Sequence, residues 1–148
     1  MTTLRLGATG AAVVVLALAG CGGGGKDSAH KAFTKSLNAI CKDDNAKLAK
    51  IKGPSTATQI PAYVQAAIPI IQDEAARLAK VSTPSDQKAN LTAAAGVLAR
   101  QIAAAQQMSA AAASGDTARV QSIIKQNSGL HGQGQRLAKA IGASECAK

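Results

Sequence analysis

Apolar residues recur along the chain at steps of three and four, in four blocks separated by short runs of glycine, proline and small polar residues. That spacing is the 3.6-residue period of helices with one buried face. From about Ser28 to Ile51 the stripe is Phe33, Leu37, Ile40, Cys41, Leu48 and Ile51. Asp44 or Asn45 fills its missing turn, as a polar register device or, the favoured reading, a helix-edge residue, and Gly53-Pro54 stops the helix. From about Thr58 to Lys80 the stripe is Ile60, Val64, Ala67, Ile71, Ala75 and Leu78. Thr58 is placed to cap this helix, with Pro61 in a first turn where a missing N–H costs little. Pro69 falls inside it, where proline bends the axis and frees the carbonyl of Gln65.

Thr83-Pro84-Ser85-Asp86 is a helix-start signature. It opens a third stripe of Leu91, Ala94, Ala95, Leu98, Ile102, Ala105 and Ala112. Ser114-Gly115 ends that helix, and Asp116 caps a fourth with Val120, Ile123, Ile124, Leu130, Leu137 and Ile141 on one face, closed by Gly142. Gly129, Gly132 and Gly134 weaken the middle of this last helix by up to ~1 kcal/mol each relative to alanine, and mark a bend or a close helix contact. Nothing alternates with period two, and β-branched runs are absent outside the N-terminal block, so strands are not expected. The pattern predicts an all-α fold, an antiparallel up-down-up-down four-helix bundle with helices roughly 30–40 Å long.

The N-terminal block is different. Arg5 precedes the apolar run from Ala11 to Ala19, which is too short for a permanent span and reads as an export signal. Leu18-Ala19-Gly20-Cys21 at its end resembles the lipobox of bacterial lipoproteins. The resemblance implies lipidation of Cys21, cleavage between Gly20 and Cys21, and a place on the extracytoplasmic face of the bacterial cell membrane. Two or three acyl chains at ~0.8 kcal/mol per buried methylene would hold the protein there almost permanently. The expected organisation is a signal peptide over residues 1–20, a lipidated glycine-rich tether over 21–27 and a helical bundle domain over 28–148.

Composition narrows the function classes. The chain has 148 residues, enough for one domain, and most of its 47% apolar content is alanine, which favours helix but buries little area. One Phe, one Tyr and no Trp leave no stacking platform for nucleic acid and no aromatic cage, so nucleic acid is not an expected partner. Seventeen Lys and Arg against eight Asp and Glu give a net charge of +9, and the signal removes only Arg5. Partners drawn in by charge are therefore anionic. Lys31, Lys35 and Lys42 lie on one side of the first helix, and Lys125, Arg136 and Lys139 on the fourth. In a bundle they make a face able to meet anionic lipid or a cell-envelope polymer, at up to ~1 kcal/mol per basic residue near the surface. A merely solvated face is the plainer reading of the same residues.

With Cys21 lipidated, Cys41 and Cys146 remain as an even pair in an oxidising compartment, where a disulfide is the usual outcome. Closing a loop of about a hundred residues contributes on the order of 4–5 kcal/mol in the chain-entropy picture. The competing reading joins both thiolates to His30 and His131 as a Cys₂His₂ metal set, but no pair has the short spacing of a zinc motif. His131 also invites comparison with haem-binding bundles. The first helix offers no methionine, Met108 sits on the third, and there is no C-x-x-C-H attachment, so no cofactor is expected.

Asn38-Ala39-Ile40-Cys41 with Asn45, Val81-x-Thr83-Pro84, Ser114-Gly115-Asp116 and a closing Ile141-Gly142 with Cys146 resemble small, alanine-rich, secreted lipoproteins found mainly in actinobacteria. The resemblance covers nearly all of the chain after the signal. It implies a fold and a location and lends no catalytic residue.

Catalytic chemistry finds little support. Asp43-Asp44 and Asp73-Glu74 are adjacent pairs on helices, with Lys47 and Arg77 three and four residues on, and read as solvated ion pairs. There is no nucleophile elbow and no phosphate-binding loop. The expectation is a non-catalytic envelope or interaction protein, with a protein partner as one possibility. Its alternative is a small binding module that takes an apolar ligand or an unfolded segment in a groove at the Pro69 bend.

Overall fold

The structure, a computed structural model, describes residues 24–148. The expected signal, Cys21 and the first residues of the tether lie outside the described residues. The fold is all-α, with α1 (Gly24–Leu48), α2 (Ile60–Leu78), α3 (Lys88–Ala113) and α4 (Thr117–Ile141). Short 3₁₀ turns sit at Ala57–Gln59, Ser85–Gln87 and Ser144–Ala147. α1 starts at Gly24, so Gly24 to Asp27 belong to the helix and not to a tether, and Asp27 in the first turn complements the helix dipole.

Helix starts depart from expectation at two places. Neither Thr58 nor Thr83 caps a helix: Thr58 Oγ1 lies 2.9 Å from Thr56 Oγ1, and Thr83 Oγ1 donates back to the Val81 carbonyl at 2.8 Å. In both cases a 3₁₀ turn leads into the helix. Backbone carbonyls there take the early N–H groups, Gln59 N–H on Thr56 at 3.1 Å and Gln87 N–H on Pro84 at 2.9 Å. α2 then runs without interruption through an exposed Pro69.

The last helix follows the sequence more closely. Asp116 caps α4 by accepting from the Arg119 N–H at 2.9 Å. Gly115 and Gly142 take the left-handed φ values of 76° and 83°, each in a Schellman ending in which the following N–H reaches five residues back. α4 is unbroken from Thr117 to Ile141 despite its three glycines. Of these, Gly134 marks a close contact: a Cβ there would sit 3.6 Å from Val97 Cγ1 of α3.

Neighbouring helices run antiparallel, since contacts climb one helix as they descend the next. Arg100 pairs with Gln133 and Arg119 with Gln107 between α3 and α4, and Cys41 lies by Glu74 while Phe33 and Leu37 meet Leu78 and Val81 between α1 and α2. The core divides into two clusters. One joins Ile60 and Val64 of α2, Ala104, Ala111 and Ala112 of α3, and Val120 and Ile123 of α4. The other joins Phe33 and Leu37 of α1 with Ile141 and Ala143, flanked by Leu78, Val81, Leu91, Ala94 and Cys146. α1 thus reaches only the second cluster, and it packs on α2 and the C-terminal 3₁₀ turn more than on α4.

The α3 face needed correction. Its most buried residue is Val97, 1% exposed, followed by Ala104, Ala111 and Ala112, whereas Leu91, Leu98, Ile102 and Ala105 are half-buried. Alanines lie all round this helix and it packs between α2 and α4, so its apolar pattern does not select one direction. On α4, Ile124 is 52% exposed and Ala138 takes the buried place instead.

Candidate ligand-binding cavity

The Schellman turn at Gly142 sends the chain through buried Ala143 and back across α1. Two α1 asparagines hold it there: Asn38 Oδ1 accepts from the Glu145 N–H at 2.8 Å, and Asn45 Nδ2 donates to the Glu145 carbonyl at 2.9 Å. The 3₁₀ turn Ser144–Ala147 then brings Cys146 to Cys41, with Cα atoms 5.1 Å apart, and the disulfide closes across a separation of 105 residues. Both sulfurs are in that bond, so no thiolate is left for a Cys₂His₂ site. His30 lies 3.2 Å from Asp86 instead, and His131 is exposed.

Behind the disulfide the four helices part around a cavity of about 380 Å³. Leu37 and Cys41 of α1, Leu78 of α2, Leu91, Val97 and Leu98 of α3, and Gly134, Ala138 and Ile141 of α4 make up half of its lining. Small residues on α3 and α4 leave this space because they cannot reach across it. A sealed void of that size would cost on the order of 9 kcal/mol at ~24 cal/mol per Å³, about twice what the disulfide contributes. The space escapes that cost because water or a guest can enter it. It is partly open to solvent, and it lies one to three turns beyond Pro69, bounded on α2 by Glu74, Ala75, Leu78 and Ala79.

Among the described residues Glu74 is the only ionisable side chain on the wall. Its Oε1 lies 3.3 Å from Cys41 Sγ. A disulfide sulfur carries no proton, so a hydrogen bond between the two requires the proton to reside on Glu74. No N–H or O–H donor among the described residues reaches this carboxyl. Burial, reinforced by the negative charge of Asp44 and opposed by Arg77, raises its pKa to about 7.

A second polar cluster abuts the cavity between α1 and α2. Asp44, 1% exposed, is paired with the Arg77 guanidinium and accepts from Lys47 at 3.2 Å. Arg77 also donates to Asp43 at 3.0 Å. Its Nε lies 3.0 Å from Asp73 but out of line for a hydrogen bond, leaving a coulombic contact. Lys47 completes the set with Asp43 at 2.8 Å, the hydrogen bond that chiefly holds the Asp43 carboxyl below its ordinary pKa. The expected pair of separate, solvated ion pairs is thus one network across the helix interface, and Asp44 is its buried centre and not an edge residue. The physical reason is position. Asp44 follows Leu37 and Cys41 by steps of four and three, and Glu74 stands between Ile71 and Leu78 at the same steps, so both carboxylates lie on apolar stripes. The steps single out Glu74 just as they single out Asp44, whose place in the missing turn of the α1 stripe is already legible in the sequence.

The six basic residues of the expected face, Lys31, Lys35, Lys42, Lys125, Arg136 and Lys139, are all exposed. None of them pairs with an acidic group among the described residues. Because α1 and α4 meet mainly through the C-terminal turn, the two sets are joined at one end of the bundle and not along its length.

No family model, curated protein or solved structure matches this chain. The functional reading therefore rests on the chain's own residues.

Proposed function

We propose that the protein is a lipid-anchored, extracytoplasmic binding module that holds a small apolar molecule inside its helical bundle and performs no chemistry on it. The observation that carries the reading is the cavity, whose volume falls in the range of small-molecule sites and whose wall is apolar apart from one carboxyl and a few neutral polar groups. A wall carboxyl with no nucleophile beside it among the described residues, and whose neighbour Asp44 is tied up by Arg77 and Lys47, recognises more readily than it catalyses. The lipobox-like Leu18 to Cys21 supports the anchor, and the mass of the protein from its own membrane tests it: a diacyl or triacyl adduct on Cys21 is expected, and an unmodified thiol would remove the anchor from the proposal.

The binding reading is tested by titrating the full chain with cyclohexanol while following ¹³C-methyl resonances. Shifts are expected at Leu37, Leu78, Leu91, Val97 and Leu98, with Ile60 and Ile123 unmoved. Equal shifts everywhere, or none, would overturn it.

A second reading, favoured by the six exposed and unpaired basic residues, is that this face meets anionic lipid head groups or an anionic wall polymer. Protein anchored in vesicles should then show slower acylation of Lys31, Lys35 and Lys42 when the vesicles are anionic than when they are neutral, and salt should erase the difference. Rates independent of lipid charge would leave these lysines as a solvated surface.

A further inference from the structure

The geometry points to a small apolar amine as the occupant of the cavity, with its ammonium against the Glu74 carboxylate and its hydrocarbon body between Leu37, Leu78, Leu91 and Leu98. This rests on the reading of the cavity as a binding site and names the class of ligand it takes.

Three observations converge on a cation. Among the described residues Glu74 is the only charged group that the wall offers, so once it ionises an anionic guest would face a like charge and a purely apolar guest would leave the carboxylate without a partner. Arg77 favours charge on Glu74 from a distance but pairs with Asp43, Asp44 and Asp73 and not with Glu74. From α1, the buried Asp44 adds negative potential at the same end of the cavity. The wall residues that the other elements contribute are uncharged, Thr92 and Gln101 on α3, Ala138 on α4, and Cys146 with its sulfur in the disulfide among them. A protonated amine would therefore find a carboxyl with no cationic partner among the described residues, half-buried where a charge-assisted pair counts for more than in open water.

Size follows from volume. At ~30 Å³ for each water-sized group, about 380 Å³ holds roughly a dozen such groups, the size of a cyclic or short branched amine.

Binding should be coupled to the proton on Glu74. The carboxyl passes from mostly neutral to mostly ionised between pH 6 and pH 8, since its pKa stands at about 7, while an alkylammonium stays charged throughout. An amine should thus bind about tenfold more tightly at pH 8 than at pH 6, with a proton released from Glu74 as it enters.

The experiment titrates the full chain with cyclohexylamine, cyclohexanol and cyclohexanecarboxylate at pH 6 and pH 8, reading the Leu37, Leu78 and Val97 methyls, in the natural protein and in Glu74→Gln. The expected result is cyclohexylamine binding that strengthens about tenfold with pH in the natural protein and becomes weak and flat in Glu74→Gln, with cyclohexanol little changed by either. Cyclohexylamine binding without pH dependence, or undiminished in Glu74→Gln, overturns the inference, as does preferential uptake of cyclohexanecarboxylate at pH 6. In those cases binding of any probe still upholds the cavity as a site. If none of the three shifts the methyls, the binding reading itself falls. Should Glu74→Gln not fold, the pH series on the natural protein decides alone.

Discussion

At the end of the bundle built from the start of α2, the end of α3 and the start of α4, three buried alanines let three helices lie close together. Ile60, Val64, Val120 and Ile123 fill the seam. At the other end four helices meet around larger side chains, Phe33 and Leu37 above all, and that end contains the disulfide, the cavity and a buried carboxylate. Alanine gives close approach and leaves nothing to spare, because a short side chain brings backbones together and then has no reach. A wider helix spacing needs large side chains to fill it, and where α3 and α4 supply alanine and glycine the space stays open. A covalent bond that adds on the order of 4–5 kcal/mol lets one end tolerate an opening and a buried charge that the other could not.

The comparison is broken most directly at the disulfide. Replacing Cys41 and Cys146 together by serine should lower the unfolding free energy by about 4–5 kcal/mol in denaturant titrations. Hydrogen exchange should then accelerate in α1 well before α3 and α4. Equal acceleration at both ends would mean that the bundle behaves as a single unit and the contrast is only one of composition.

The buried ion pair is the next test. Arg77→Met leaves Asp44 with Lys47 as its only cationic partner among the described residues and should cost about 3 kcal/mol. Adding Asp44→Leu to it should recover most of that loss, because an apolar pair removes the stranded charge. A double variant as unstable as the single one would show that the network does more than compensate its own burial.

How far these features were legible depended on reach along the chain. The four blocks, the Asp116 cap, the closing glycines and the Cys41–Cys146 pairing follow from local chemistry and from counting cysteines. The α3 face did not, because a helix with alanine on every side carries no directional pattern, and Val97 is selected only by its neighbours Gly134 and the cavity wall. Asp44 and Glu74 stood on apolar stripes, yet adjacency to Lys47 and Arg77 made them look like surface pairs. Only the approach of α2 to α1 makes Arg77 cross between helices.

A smaller effect distinguishes the ends by pH. Glu74 titrates near 4.5 when exposed and at about 7 in the fold, so the folded protein holds a proton that the unfolded chain has released. The resulting stabilisation is complete below about pH 4.5, declines as pH rises and is gone above about pH 7, with a magnitude on the order of 1–3 kcal/mol after solvent screening. Asp43 acts in the opposite sense: its lowered pKa adds stability above 3.8 that is lost as pH falls. Stability should accordingly peak in mild acid, and Glu74→Gln should flatten the decline towards neutrality in thermal melts. An unchanged profile in that variant would assign the decline to another group.

The smallest expected change is a gain. Gly129→Ala meets nothing within 4 Å and should stabilise α4 by about 1 kcal/mol, while Gly115→Ala, at φ 76°, should cost a similar amount. If both glycines respond alike, helix propensity is not what limits that region.

By itself the sequence determined the helices, their ends, the two cysteines that pair and the lipobox-like segment, because helix period, turn residues and cysteine parity act over a few neighbours or by simple count. The tertiary structure decided which way alanine-covered α3 faces, which carboxylates are buried, and where the bundle stays open. Burial and charge pairing belong to the meeting of surfaces from distant parts of the chain, and alanine does not specify in advance which surfaces will meet.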